Sequence, residues 1–291
     1  MSKRHRKNQT RQVQKQPIPS YLVSIVIPNY GRFDLLEKCL AAIPDAFGDI
    51  SYEVVLVENG SPLEEKKKFF ASATLPPNTR VIELSKNVGY PGACNRGYRN
   101  ASGALFFILT NDVIMAKGSG EQLVRTMDDP MVGVCGMKLV FPSDAELTDA
   151  GLKHSEVQRN PNTIQHVGLF TAISGDVIHM YLGWRADHPK PNAVKEAHFV
   201  TGAAFMTRKI LFRDLGGFDE IYGDGTYEDV DYCMKVREKG LKIMVNTSAV
   251  GVHYTGATAE KFQKAFPLNQ NRNIFNQRWY NKLAWTEWWY W

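Results

Sequence analysis

The sequence predicts an α/β protein: a mostly parallel sheet, Rossmann-like, flanked by helices on both faces. Strand-like and helix-like patterns alternate over about 30 residues each, the signature of βαβ units. A polar cluster closes three of the expected strands, at the carboxyl ends where such sheets hold their ligands. With 44% hydrophobic and 11% aromatic residues, the 291-residue chain can bury a substantial core.

The elements follow in order. Leu22–Ile27 is a β-branched run that ends in Pro28-Asn29-Tyr30-Gly31, a strand followed by turn residues. Leu35, Leu36, Cys39, Leu40 and Ile43 then recur at helical spacing. Val54–Val57 is a second buried strand, closed by Glu58-Asn59-Gly60-Ser61. Ser61 is placed to cap the next helix, with Pro62 at its first position and Glu64 and Glu65 in its first turn. Arg80–Leu84 is a third strand, Gly92–Asn100 a helix, and Ala104–Leu109 a fourth strand running into Thr110-Asn111-Asp112. Between about 140 and 200 the periodicity fades. Thr201–Met206 is strand-like, and Val230, Cys233, Met234 and the stretch to Leu241 describe a helix ending at Gly240. Five of the six tryptophans (Trp279, Trp285, Trp288, Trp289, Trp291) crowd the last twenty residues.

Composition removes several classes of protein. The longest apolar runs, near Tyr21–Pro28 and Ala104–Leu109, fall far short of the roughly 20 residues of a membrane span. The basic N-terminus lacks the apolar stretch of a secretory signal, so a cytoplasmic protein is expected. Cys39, Cys94, Cys135 and Cys233 form no CxxC pair, which argues against a thiolate zinc site and for reduced thiols. Residues 1–20 carry six of the 35 basic residues and no acid, leaving 29 basic against 30 acidic. The chain is therefore a neutral globule with a basic arm, which reads as a solvated leader. Contact of that arm with anionic lipid or nucleic acid is the alternative.

Eight motifs, taken in sequence, carry a resemblance. Val-Ser-Ile-Val-Ile-Pro-Asn-Tyr (23–30), Val-Glu-Asn-Gly-Ser (57–61), Asn-Val-Gly-Tyr-Pro-Gly-Ala-Cys-Asn-Arg-Gly (87–97) and Leu-Thr-Asn-Asp (109–112) resemble the nucleotide-sugar half of family 2 glycosyltransferases. Val-Thr-Gly-Ala-Ala-Phe-Met (200–206), Gly-Gly-Phe-Asp-Glu (216–220), Glu-Asp-Val-Asp (228–231) and Gly-Val-His (251–253) resemble their acceptor half. The resemblance implies a GT-A fold and an inverting glycosyltransferase. It divides the chain into an arm (1–20), a catalytic domain (21–258, with a nucleotide-sugar half to 115 and an acceptor half from 116) and an aromatic helical extension (259–291).

The resemblance also implies roles. Asp112 is the strand-end carboxylate beside the donor's diphosphate, where Mg²⁺ or Mn²⁺ neutralises growing charge. The sequence departs from the usual Asp-Xaa-Asp by carrying Thr110 at the first acidic position. His253 resembles the late histidine that supplies a second ligand; a core histidine is the competing reading. Glu58 stands where an Asp usually contacts base or ribose; a cap on the next helix is the competing reading. Pro28, Asn29, Tyr30, Asn87, Gly89, Gly92 and Asn111 are expected around the donor, and Asn95 is either a ligand contact or a loop brace. Asp229 is the expected general base at a helix N-terminus, with neighbouring Glu228 the other acid of the pair, facing elsewhere once the helix has begun. Residues 165–168 and 181–189 are expected as a flap over the acceptor, with Trp184 stacking on sugar or packed inside.

The expected partners are a nucleotide-sugar donor and a glycan, lipid-linked or protein acceptor. A modified DNA base is the weaker acceptor, because the globular surface is not basic. A non-catalytic sugar- or nucleotide-binding module is the third reading. For the aromatic tail, folding back or pairing with a second subunit is favoured over peripheral contact with a membrane's inner face, since its polar residues form no clean face.

Overall fold

The computed structural model describes residues 22–152, 160–172 and 176–283. The basic arm and Trp285, Trp288, Trp289 and Trp291 lie outside them. The expected alternation is present: β1 (Val23–Asn29), α1 (Phe33–Phe47), β2 (Tyr52–Glu58), α2 (Leu63–Ser72), β3 (Thr79–Glu83), α3 (Tyr90–Asn100) and β4 (Leu105–Leu109). The chain continues through β5 (Val113–Met115), α4 (Ser119–Thr126), β6 (Val132–Val140), α5 (Asp144–Asp149), β7 (Ile164–His166), β8 (Leu169–Thr171), β9 (Val177–His179) and β10 (Lys195–Glu196). It ends with β11 (Ala204–Arg208), α6 (Lys209–Asp214), α7 (Glu228–Glu238), β12 (Lys242–His253), α8 (Ala257–Lys261) and α9 (Leu268–Trp279).

One sheet runs in the order β10-β12-β6-β11-β4-β1-β2-β3, with β5 added to β12 and β7 to β6. β1 is parallel to both β2 and β4, and β2 to β3. Chain order reverses between β1 and β4, so their carboxyl ends open the crevice in which such sheets bind ligands. β11 runs antiparallel to β4 and β6 and joins the second half of the chain to the first.

The strands are apolar on both faces because both faces are covered. Ile25, Ile27, Val54, Leu56 and Phe107 pack with Leu36, Cys39, Leu40 and Ile43 of α1. Val26, Val55, Val57, Phe106 and Ile108 pack with α3, α7 and the C-terminal aromatics. Gly97 lets α3 lie flat on this second face, since a Cβ there would overlap Val26.

Several expectations need correcting. α2 begins at Leu63 with Pro62 as its N-cap residue and no side-chain cap. Ser61 instead accepts a 2.9 Å hydrogen bond from Gly31 N–H, tying the β1 turn to the β2 turn. β11 starts at Ala204: Thr201 is irregular and Gly202-Ala203 form a turn rather than strand. The first two residues of the expected flap, Gln165 and His166, lie in β7 (Ile164–His166), a strand of the main sheet paired with β6. Trp184 is 41% exposed and meets Tyr181 and His188 edge-on.

Within the described part of the tail, the chain folds back. Trp279 is buried, and its indole N–H donates to Asp231 Oδ1 at 2.8 Å, joining α9 to α7. Asn271, 1% exposed, donates from one amide nitrogen to the carbonyls of Tyr222, Gly225 and Thr226 at 2.9, 2.7 and 3.0 Å. That loop needs the help: Gly225, Thr226 and Tyr227 all have positive φ (119°, 76° and 71°), a rare conformation for the last two. Asn271→Ala strands buried carbonyls and is expected to cost about 1–3 kcal/mol, read from the midpoint of denaturant unfolding.

Candidate active site

At the carboxyl ends of β1 and β4 lies a cavity of about 450 Å³. It is lined by Pro28, Asn29 and Tyr30 from the first half and by Thr201, Gly202, Glu228, Asp229 and His253 from the second. Asn87, Asn111 and Asp112 also line it. Sequence positions more than a hundred residues apart thus meet at one place.

The β1 and β4 ends are fixed to each other. Asn111 Nδ2 donates to Asn29 Oδ1 at 2.6 Å and to the Gly31 carbonyl at 3.3 Å. Asn29 Nδ2 is left buried without a partner on the protein, an N–H donor at the cavity wall. Asn59 holds the neighbouring loop: it donates to Asn87 Oδ1 at 3.0 Å and accepts from Val88 N–H at 3.0 Å. Gly89, φ 78°, is required where this loop meets the second half, because a Cβ there would overlap the Gly223 carbonyl oxygen. Asn59, at the wall and bracing the loop, was noticed in the sequence only as part of a turn cluster.

Not every expected donor residue reaches the cavity. Glu58 is fully buried beneath the β2 turn, where Oε1 accepts from Ser61 N–H at 2.8 Å and Oε2 lies 3.9 Å from Lys66 Nζ. Asn95 braces residues 217–220: it donates to the Phe218 carbonyl at 2.8 Å and accepts from Phe218 N–H at 3.1 Å. Glu58, Gly89, Gly92 and Asn95 are absent from the lining.

Asp112 and His253 face each other, Oδ1 to Nε2, at 3.5 Å. Burial alone would raise the Asp112 pKa, but a His253 ring carrying a proton toward it and the Thr110 hydroxyl bring it below the usual carboxylate value. His253 Nδ1 lies 3.1 Å from Gln165 Oε1, which can only accept, so Nδ1 carries a proton. In the neutral ring, Nε2 then offers a lone pair to a buried carboxylate oxygen that has no hydrogen-bond donor of its own. Two acceptors set 3.5 Å apart suit a divalent cation between them. Among the described residues no cluster of three ligating side chains exists, so substrate oxygens and water would complete the shell.

The α7 terminus carries the acids. Asp229 Oδ2 accepts from Gly202 N–H at 2.6 Å and Oδ1 from its neighbour Val230 N–H at 2.8 Å. Tyr90 OH holds the same Gly202 through its carbonyl at 2.7 Å. Glu228 lines the cavity too, contrary to the expectation that it faces elsewhere, because Tyr227 is left-handed and the helix has only just begun. Burial, and then the Asp229 charge, push the Glu228 pKa well above its ordinary value. Burial raises Asp229 as well, opposed by the Gly202 and Val230 N–H groups. Across the mouth, Lys264 is 2.7 Å from Asp224, and Phe262 covers Tyr30 at a ring separation of 4.6 Å. Tyr90, His179 and Lys264 were not singled out from sequence; each stands outside the strand-end clusters that gave the signal.

The family model described as Glycosyl transferase family 2 matches residues 24–215, more than half of the chain. A curated relative, the O-antigen biosynthesis protein RfbC of Myxococcus xanthus, is 27% identical over 247 residues, covering 81% of this chain and 17% of that protein. The chain therefore spans a small part of that relative. Two solved structures share its fold. GalNAc-T7, solved with UDP, GalNAc and Mn²⁺, aligns over 90% of this chain and 49% of its own at TM-score 0.61 and 14% identity. The mannosyltransferase PcManGT from Pyrobaculum calidifontis, solved with GDP-Man and Mn²⁺, aligns over 95% and 74% at TM-score 0.53 and 16% identity. The sheet is of the GT-A type these enzymes share. Among the described residues no helix is long and apolar enough to cross a membrane.

Proposed function

The chain belongs to glycosyl transferase family 2, and from that premise we propose that it transfers a sugar from a nucleotide-diphosphate donor to a hydroxyl, with inversion. The carrying observation is that Asp229 and the Asp112–His253 pair line the same cavity. The acceptor hydroxyl belongs to a glycan, a lipid-linked sugar or a protein.

Asp112 and His253 would hold a divalent cation, Mg²⁺ or Mn²⁺, which supplies positive charge where the diphosphate leaves. The chain's own residues do the rest. Asn29 Nδ2, unpartnered at the wall, is satisfied by an acceptor atom of the donor. Gln165 keeps the His253 tautomer that leaves Nε2 free for the metal. Burial raises both acids of the pair and the Asp229 charge raises Glu228 further, so Glu228 is the one to hold a shared proton and Asp229 the one to accept. Asp229 takes the proton of the attacking hydroxyl, and its two backbone donors fix the carboxylate for that task.

A thermal-shift screen of nucleotide sugars with and without Mn²⁺ tests this reading. A cognate donor at a hundred times its dissociation constant adds about 2.7 kcal/mol of stability; no shift with any nucleotide sugar would sink the proposal. Gln165→Leu removes only the partner behind the metal ligand. It is expected to weaken Mn²⁺ affinity by about 10–100-fold, measured by titration in the presence of the nucleoside diphosphate.

A further inference from the structure

Beside the acids, the cavity contains a histidine for which the mechanism above has no task. His179 is the last residue of β9, paired with Leu169 at the open end of the β8–β9 hairpin, and lines the cavity. Its Nδ1 lies 3.2 Å from Nδ1 of His166, a fully buried ring on β7. Hydrogen bonding fixes how the protons are shared. His166 Nε2 is the acceptor for Gly168 N–H at 3.3 Å and Thr201 N–H at 3.4 Å, so its proton sits on Nδ1. That N–H donates to His179 Nδ1, which must be the acceptor. In the neutral ring, the His179 proton is then on Nε2, and among the described residues no protein group accepts it.

Both rings stay neutral. Burial lowers the His166 pKa far below the ordinary value, with the nearby His179 and His253 adding to the effect. Burial and His253 bring His179 down to about 4. With Nδ1 engaged by His166, the His179 ring is locked from behind and lines the cavity as an N–H donor. Its place follows from its neighbours. It feels His253 on the metal side, and through His166 it joins Thr201, next to the Gly202 that holds Asp229. Between leaving diphosphate and general base lies the group in transit.

We propose that His179 donates a hydrogen bond from Nε2 to a hydroxyl of the transferred sugar, and that His166 sets the tautomer and orientation of that ring. The proposal rests on the nucleotide-sugar reading above. It makes His179 a residue that selects among sugars, because a buried donor left unpaired penalises a sugar lacking that hydroxyl.

Two amide replacements separate this from a packing role. In His179→Gln the amide nitrogen stands near the position of Nε2 and keeps the donor toward the cavity. In His179→Asn it stands near Nδ1, keeping the contact with His166 and losing the donor. Dissociation constants are measured with Mn²⁺ for a nucleoside diphosphate and for the nucleotide sugar that stabilises the wild type, together with hydrolysis of that sugar. Nucleoside diphosphate affinity is expected to stay unchanged in both variants. His179→Asn should weaken the nucleotide sugar, and slow its hydrolysis, by about tenfold, while His179→Gln stays within about threefold of wild type. If either variant unfolds, His179→Ala, which removes both nitrogens, must behave as His179→Asn. The reverse ranking would make His179 a structural partner of His166 and overturn the proposal. So would equal behaviour of the two variants, or a defect seen only in acceptor KM. A wild-type protein that binds no nucleoside diphosphate overturns the glycosyltransfer reading along with it, whereas wild-type binding with indifferent variants overturns this inference alone.

Discussion

Asp229→Asn is expected to lower turnover by about 10²–10⁴-fold, the range that a positioned general base supplies, while nucleotide-sugar binding stays close to wild type. The amide is nearly isosteric, and its oxygen can still accept the Gly202 N–H that anchors the native side chain. What it cannot do is take a proton. The loss therefore falls on kcat rather than on donor affinity. Single-turnover transfer together with a binding isotherm for the donor checks both halves. Near-normal turnover would exclude Asp229 as the base and turn attention to Glu228, the other carboxylate on that wall.

Asp112→Ala is expected to weaken donor and metal together, and by more than the roughly 10–100-fold that loss of an outer partner such as Gln165 costs. The aspartate is a buried carboxylate with an unpartnered oxygen 3.5 Å from His253 Nε2. On the proposed cation site its removal would leave His253 as the one remaining protein ligand, and Thr110 contributes no second carboxylate. Metal titrations with the nucleoside diphosphate present measure the effect. Transfer that is equally fast in EDTA before and after the substitution would show that the cation takes no part in the reaction.

The first half of the sheet was readable because its strands are uninterrupted apolar runs that stop at polar clusters, as at Val57–Gly60. The second half was not. β6 carries Gly133, Gly136 and Lys138 inside the strand, and Lys138 is buried only because Asn192 and the Ala186 carbonyl receive its ammonium. β12 changes register between Asn246 and Val250, so its polar bulge breaks the pattern that identifies a strand. The same division holds for the site. Asp112 and Asp229 stand at strand-end and helix-start signals that a linear reading can find. Glu58 is turned inward by a local partner, the Ser61 N–H, whereas the bracing role of Asn95 depends on the distant Phe218 backbone, which no local pattern names. His179 was passed over because its partner, His166, is fixed by the distant Thr201 backbone.

The docking of α9 also sets an order of events during synthesis. Residues 222–229, with their run of left-handed backbone, leave the ribosome more than forty residues before Asn271 and fifty before Trp279. At about 5–20 residues per second that is a delay of seconds, during which the sheet can assemble but the acid-bearing loop lacks the amide that gathers its carbonyls and the indole that anchors Asp231. Pulse-labelled nascent chains arrested before and after residue 279 should therefore differ in protease resistance at that loop while sharing a protected sheet. Glu228 and Asp229 would be the last part of the domain to reach their final geometry.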